Sequence, residues 1–192
     1  MSDEPGAPAC HVEVTDEQNC LTVDSAFVRE VITDVLKTEG VYSADVSIAL
    51  VDNATIRRLH REFMNDDTDT DVLSFPLDAG EPPRERPPPD PTGAQRRGYG
   101  RNPNGEVVVS VEKATQVAAE FGWRPLDEVI LYAVHGVLHL VGYDDLTSDE
   151  KRLMRSRERS LLDRWDLQPQ YRDPDLDGKG DEPASEQEQL EC

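Results

Sequence analysis

The sequence predicts a single α+β domain in which a small mixed sheet of about four strands packs with about five helices. Short apolar segments typical of strands are interspersed with longer segments whose apolar residues recur every three or four positions, as in amphipathic helices. Polar and acidic residues collect at both ends of the 192-residue chain. We therefore expect a folded domain over residues 10–165, a disordered acidic N-terminus over 1–9 and a disordered acidic C-terminal tail over 166–192.

The bounds of the strands and helices follow from apolar periodicity and from capping residues. Strands are predicted over residues 11–15, 44–51, 71–76 and 106–110. Helices are predicted over residues 25–38, 53–63, 111–121, 126–141 and 148–164. Asp24 and Ser110 are expected to cap the first and third helices, and Thr147 with Glu150 matches a capping box before the fifth. The fourth helix is apolar nearly all round, so we expect it to run through the core.

The segment 79–104 differs from the rest of the chain in composition. It holds seven of the fourteen prolines and five arginines, and its net charge is +2. Because this composition cannot form regular structure, we predict an exposed loop insertion. Its charge would allow contact with RNA, although the composition favours a plain insertion.

The negative charge of the chain is concentrated at its ends. Residues 1–18 carry five acids and no Lys or Arg, and residues 166–192 carry nine acids and two basic residues. Of the total net charge of −20, only −8 remains for residues 19–165. This balance argues against a protein that coats nucleic acid nonspecifically, because such binding depends on Lys and Arg. It does not exclude a local basic groove.

The cysteines and the apolar segments indicate a soluble protein of a reducing cytoplasm. Three cysteines cannot pair evenly, and none has the C-x-x-C spacing of a metal site. The first residues, MSDEPGAP, lack the apolar region of a signal peptide. The longest apolar run, 129–134, is too short to span a bilayer. We expect neither a membrane partner nor an organic cofactor.

The segment 135–145 predicts a metal site. His135 and His139 lie one helical turn apart, and two imidazoles so placed can bind one ion from one face. Gly142 can take a positive φ and turn the chain back, which would allow Asp145 to supply a third ligand. Two histidines and a carboxylate leave an open position for water, as a catalytic zinc site requires. We predict one divalent ion, with zinc expected, held by His135, His139 and Asp145.

Other interpretations of these residues remain open. His135 and His139 could be hydrogen-bonded core histidines, and Asp144 could replace Asp145 as a ligand or act as a hydrogen-bond partner. His11 and His60 are interpreted as ordinary surface or core-edge residues. Zinc peptidases of the H-E-x-x-H type carry a Glu base directly after the first histidine, where this chain has Gly136.

Three ordered motifs resemble the YbeY-type endoribonucleases, also called rRNA maturation factors. Residues 135–145, HGVLHLVGYDD, resemble the family signature; residues 69–76 resemble its T-D-V-L-S-F-P stretch and residues 105–110 its G-D-I-x-I-S strand. The resemblance covers roughly residues 20–165. It implies a zincin-like fold with a central metal-binding helix, and metal-dependent cleavage of single-stranded RNA. It also implies 3′ end maturation of small-subunit rRNA, ribosome quality control, and the ribosomal small subunit as a partner.

The chain departs from the family pattern at three positions. The family usually has a third histidine at Asp145; a carboxylate oxygen still binds zinc, but it widens the choice of metal toward manganese. The family often has an arginine at the position of Met64, and a thioether cannot pair with a phosphate. Arg61 or an arginine of the 84–101 loop is a possible substitute. Glu106 replaces the family's Asp and keeps the carboxylate.

These residues define a mechanism and two alternatives to it. A bound ion would lower the pKa of its water to about 7 and polarise a phosphoryl oxygen, with His135 as the catalytic ligand. Basic residues of helix 148–164 would hold RNA unless they are simply solvated: Lys151, Arg152, Arg155, Arg157, Arg159 and Arg164. The first alternative is a metal-stabilised, ribosome-associated binding protein with little nuclease activity. The second is a metallopeptidase, which Gly136 disfavours.

Overall fold

A four-stranded mixed sheet and five α-helices form the part of the chain that the structure describes. The structure is a computed structural model, and it describes residues 9–77 and 96–171. The elements, in chain order, are β1 Cys10–Asp16, α1 Ser25–Thr38, β2 Ala44–Val51, α2 Asn53–Met64, β3 Val72–Pro76, β4 Asn104–Ser110, α3 Val111–Phe121, α4 Pro125–Leu140 and α5 Ser148–Leu162. The strand order is β1-β2-β4-β3, with β3 antiparallel to β4 and the other pairs parallel. The predicted α+β class is confirmed.

The helix ends form where the capping residues predict them. Asp24 accepts hydrogen bonds from the backbone N–H groups of residues 26 and 27, and Ser110 accepts one from residue 113. Thr147 and Glu150 form a reciprocal capping box. These side chains satisfy backbone donors that the first turn of a helix leaves without partners. The bounds of α1, β2 and α3 agree with the sequence prediction residue by residue.

Helix α4 is buried along most of its length and packs closely on β3 and β4. A Cβ atom at Gly136 would lie 2.4 Å from Cγ1 of Val107, and the Ser74 hydroxyl donates to the Gly136 carbonyl at 3.1 Å. Position 136 therefore faces the sheet and has no room for a side chain. The absence of a glutamate there is a packing requirement of this fold.

The structure differs from the predicted domain bounds at two places. Gly98 and Tyr99 pack against the end of α1 near Gly40, and Asn104 already belongs to β4, so residues 96–104 are not an exposed loop. Leu167 is buried in the core, so the folded region extends past residue 165. Both differences arise from contacts between distant parts of the chain. The rest of the predicted insertion, 79–95, and of the predicted tails, 1–8 and 172–192, lies outside the described residues.

No helix among the described residues is long and apolar enough to cross a bilayer. The longest, α4, has sixteen residues and carries two acidic residues in its first turn. A helix needs about twenty predominantly apolar residues to span the hydrocarbon core.

The prediction that the basic residues of α5 lie on an exposed face is wrong for Arg157, which is buried. Its Nε donates to Glu39 Oε1, and the Tyr143 hydroxyl donates to Glu39 Oε2 at 3.1 Å. Glu39 is completely buried at the end of α1. Arg164 is also engaged, with Nε 2.8 Å from an Asp34 carboxylate oxygen. Counting charges along α5 could not distinguish the inward arginine from its exposed neighbours.

Replacing Arg157 with Met should lower the free energy of unfolding by about 3–5 kcal/mol, because it leaves the Glu39 carboxylate buried without its cation. Urea unfolding monitored by circular dichroism measures the change. Arg152→Met, at an exposed position of the same helix paired with Asp149, is the matched control and should have little effect. Equal losses in the two variants would contradict the assigned role of Arg157.

Glu128 is a second buried acid, in the first turn of α4. Its side chain is only 3% exposed. Burial raises the pKa of Glu128 to about 7, and the nearby Asp71 carboxylate adds to the rise, while a hydrogen bond with Tyr132 opposes it. In the unfolded chain this carboxyl ionises near its ordinary pKa of about 4.3. Between these two values the folded state holds more protons, so Glu128 makes the protein less stable as the pH rises.

Replacing Glu128 with Gln should therefore stabilise the metal-free protein at pH 8 and change its stability little at pH 4.5. A pKa rise from about 4.3 to about 7 corresponds to about 4 kcal/mol, and we expect about half of it because Glu128 lines a cleft that is open to solvent. Urea unfolding at the two pH values measures the difference. Glu62→Gln, at an exposed position of α2, controls for the loss of one negative charge. A stabilisation that does not depend on pH would contradict the burial argument.

Candidate metal centre

The two histidines of α4 and the acid that follows its end lie together. The Nε2 atoms of His135 and His139 are 3.0 Å apart. Oδ2 of Asp145 is 4.0 Å from His135 Nε2, and its Oδ1 is 3.8 Å from His139 Nε2. The helix ends at Leu140, and Gly142 takes a φ of +97°, which turns the chain back toward the histidines. The structure thus brings together the three residues that the sequence predicts as ligands.

The spacing of these three side chains fits a small metal ion. Their ligand atoms all lie within 4.8 Å of one another. A tetrahedral ion with bonds of about 2.1 Å separates its ligand atoms by about 3.4 Å. The two nitrogens are slightly closer than this value and the carboxylate slightly farther, so small side-chain rotations would complete three sides of a coordination shell.

The hydrogen bonds of the two imidazoles direct their Nε2 lone pairs into the cluster. His135 Nδ1 lies 2.6 Å from Glu158 Oε1, and His139 Nδ1 lies 3.2 Å from the backbone oxygen of Tyr143. A carboxylate and a carbonyl only accept, so both Nδ1 atoms carry the proton. When both rings are neutral, both Nε2 atoms present lone pairs, which face each other and the Asp145 carboxylate. Two neutral imidazoles and a carboxylate that converge in this way are a ligand set for a cation.

The electrostatic surroundings of the two histidines differ. Burial lowers the pKa of His135, but the hydrogen bond and charge of Glu158, with Asp145 and Asp71, outweigh it and raise that pKa above its ordinary value. Burial and the neighbouring His135 lower the pKa of His139. His139 therefore remains neutral at neutral pH, which is the form of histidine that binds a metal.

Glu158 and Tyr171 support the cluster, and sequence reasoning missed both. Glu158, only 2% exposed, accepts from His135 Nδ1 and, at 2.7 Å, from the Tyr171 hydroxyl. The sequence does contain an indication that Glu158 is buried. It lies four residues after Met154 and three before Leu161, so it falls within the apolar stripe of α5. Tyr171 falls in the predicted tail and has no comparable local signal.

The turn that carries Asp145 is held by two arginines from the end of the predicted loop. Arg97 Nη1 donates to the Gly142 carbonyl at 3.0 Å, and its guanidinium lies 5.5 Å from the centre of the Tyr143 ring. Arg101 packs against Gly142 and donates to the Arg97 carbonyl at 2.9 Å. These two arginines therefore hold the ligand-bearing turn.

The remaining sequence candidates lie outside the cluster. The Asp144 carboxylate accepts from the backbone N–H of Asp145 at 2.9 Å, so it shapes the turn. His11 pairs with Asp45, and His60 lies against the backbone oxygen of Thr68; both histidines are away from the three ligands.

Met64 and Arg61 do not stand at the metal centre. Met64 is the exposed last residue of α2. Arg61 lies 3.5 Å from an Asp67 carboxylate oxygen, so its charge is already paired. The structure gives no support to Arg61 as a substitute for the family arginine.

An open cleft of about 410 Å³ adjoins His135 and Asp145. Among the described residues, its acidic lining includes Asp71, Glu120, Glu128 and Glu158. Its basic lining consists of Lys113 from α3 with Lys151 and Arg155 from α5, and neither Met64 nor Arg61 lines it. The cluster can therefore be reached from solvent through a cleft that carries both signs of charge.

Comparison with known proteins identifies the family. The family model described as Endoribonuclease YbeY matches residues 13–166. A Clostridium acetobutylicum protein named Endoribonuclease YbeY is 37% identical in an alignment 163 residues long, which covers 81% of this chain and 98% of that protein. A Salinibacter ruber protein of the same name is 39% identical over 140 residues, 73% of this chain and 82% of its own.

A solved structure shares the fold. The solution structure of a Thermotoga maritima protein superposes with a TM-score of 0.50 and 22% identity, covering 81% of this chain and 92% of the other. This likeness supports the single α+β domain, while the family match rests on sequence. The chain described here belongs to the YbeY endoribonuclease family.

Proposed function

We propose that this protein is a metal-dependent endoribonuclease that cleaves single-stranded RNA and uses zinc. The observation that carries the proposal is the convergence of two imidazole lone pairs and a carboxylate beside an open cleft with basic side chains. The names of its relatives support the reaction class. In the cell we place its action in the cytoplasm, on the 3′ end of small-subunit rRNA and in ribosome quality control. The proposed partners are single-stranded rRNA and the small ribosomal subunit.

The residues of the site have different proposed roles in phosphodiester hydrolysis. His135, His139 and Asp145 would hold the ion, which when bound supplies Lewis acidity and a water acidified to a pKa of about 7. Glu158 fixes the tautomer and ring orientation of His135. Lys113, Lys151 and Arg155 line the cleft and can balance the charge that develops on phosphorus.

Replacing Asp145 with Ala should strip the metal from the purified protein, because two imidazoles alone leave half of the coordination shell without protein ligands. Metal analysis after dialysis should find about one equivalent in the wild type and little in the variant. Asp149→Ala, which removes an exposed acid of α5, should keep the ion. Asp145→His should keep it too and favour zinc over manganese more strongly. A full equivalent of metal in the Asp145→Ala protein would overturn the ligand assignment.

Cleavage of single-stranded rRNA fragments tests the proposed activity. The wild type should cut them, a chelator should stop the cutting, and added zinc should restore it, because the reaction needs an ion as Lewis acid. His135→Ala should reduce the rate by at least about a hundredfold, while His11→Ala, an exposed histidine away from the cluster, should retain it. Cutting that survives both the chelator and His135→Ala would contradict the proposed mechanism.

The second candidate is a metal-stabilised, ribosome-associated binding protein with little nuclease activity. The observation that favours it is Met64, which stands exposed where the family often has an arginine. Binding of small subunits without cleavage by the metal-loaded protein would select this candidate. If the missing arginine is the reason, Met64→Arg should restore cutting. A metallopeptidase of the H-E-x-x-H type is disfavoured because position 136 faces the sheet and cannot hold a glutamate.

A further inference from the structure

A hydrogen-bonded chain connects the C-terminal end of the described region to the metal centre. The Tyr171 hydroxyl donates to Glu158 Oε2 at 2.7 Å, and the other oxygen of Glu158 accepts from His135 Nδ1 at 2.6 Å. His135 Nε2 then faces the ligand cluster. Tyr171 lies five residues beyond the last residue of the family match, which ends at 166.

The segment that brings Tyr171 to this place is firmly attached to α5. After a short 3-10 helix, Asp163–Trp165, the chain reverses at Asp166, whose φ is +57°. Leu167 is buried, and its backbone N–H donates to the Leu162 carbonyl at 3.1 Å. This reversal sends the chain back along the helix toward Glu158.

The Tyr171 ring is fixed by two cations of α5. The guanidinium carbons of Arg155 and Arg159 lie 4.8 and 4.7 Å from the centre of the ring. In contacts of this kind the positive guanidinium is attracted to the negative face of the aromatic ring. These contacts do not involve the hydroxyl. A substitution that removes only the hydroxyl therefore eliminates the hydrogen bond to Glu158 and leaves the ring in place.

The Tyr171 hydroxyl satisfies one oxygen of a buried carboxylate. Burial and the charge of Glu158 raise the pKa of Tyr171 well above its usual range, so the hydroxyl keeps its proton and remains a donor. Without the Tyr171 hydroxyl, Glu158 Oε2 would lose this hydrogen bond, and the carboxylate could rotate away from His135. A histidine ligand depends on such a carboxylate for its tautomer, its orientation and its basicity.

We propose that Tyr171 is a positioning residue of the metal centre, which acts on His135 through Glu158. This inference rests on the proposed metal-dependent function, because it assigns a role toward an ion held by His135, His139 and Asp145. It makes residues 166–171 part of the functional unit, although Tyr171 touches neither the ion nor the RNA. Removing the hydroxyl should therefore weaken metal binding without unfolding the domain.

Tyr171→Phe is the direct test, because it keeps the ring between its arginines and removes only the hydroxyl. The zinc affinity of the chelator-treated protein, measured by competition with a chromogenic chelator, should fall about tenfold. The urea midpoint of the metal-free protein, measured in parallel, should change little. Tyr99→Phe, at a tyrosine that packs on Gly40, is the matched control and should keep the wild-type affinity.

A double-mutant cycle with Glu158→Gln tests whether Tyr171 acts through Glu158. In the Glu158→Gln background, Tyr171→Phe should change the zinc affinity by less than about twofold, because the carboxylate that it orients is absent. Wild-type affinity in Tyr171→Phe, or an equal loss in both backgrounds, overturns the assignment. A wild type that binds no zinc overturns both proposals. Zinc binding without RNA cleavage overturns only the proposed function. The ratio of the zinc affinities of the wild type and Tyr171→Phe then still decides the role of Tyr171.

Discussion

The close approach of α4 to the sheet at Gly136 is the constraint on which the site depends. With no side chain at this position, the helix lies against Val107 and its carbonyl accepts the Ser74 hydroxyl. This contact fixes the rotation of α4 about its axis. At 100° per residue, four residues then fall in a stripe about 60° wide to one side of Gly136: Glu128, Tyr132, His135 and His139. Three of them line the cleft and two are proposed ligands. The packing of α4 on the sheet therefore also orients these side chains toward the site.

The parts of the site that the sequence predicts are those whose geometry is local. Two histidines four residues apart on a helix share a face whatever else surrounds them, and Gly142 and Asp145 follow within six residues. The same holds for the helix ends, since Asp24, Ser110 and Thr147 cap helices that begin with the next residue.

The parts that the sequence did not predict depend on contacts between distant residues. Arg157 meets Glu39 across 118 positions of the chain, and Arg97 meets Gly142 across 45. No periodicity encodes such pairs, so Arg157 was assigned to the wrong side of α5 and residues 96–104 to an exposed loop. Tyr171 was missed for the same reason, because the reversal at Asp166 is visible only in three dimensions.

The Asp145 departure from the family pattern lowers the positive charge of the proposed reaction site. A divalent ion held by two neutral histidines and Asp145 keeps a net charge of +1, whereas a third histidine would leave +2. Met64, where the family often has an arginine, is exposed at the end of α2 and does not line the cleft. Lys113 and Arg155 are half-buried in the cleft beside the cluster and Lys151 is exposed at its edge, so the first two would act more strongly on a phosphate than fully exposed charges. In a chain with a net charge of −20, Lys113, Lys151 and Arg155 are the basic groups of the described cleft that would, under the proposed function, stabilise an RNA backbone next to the ion.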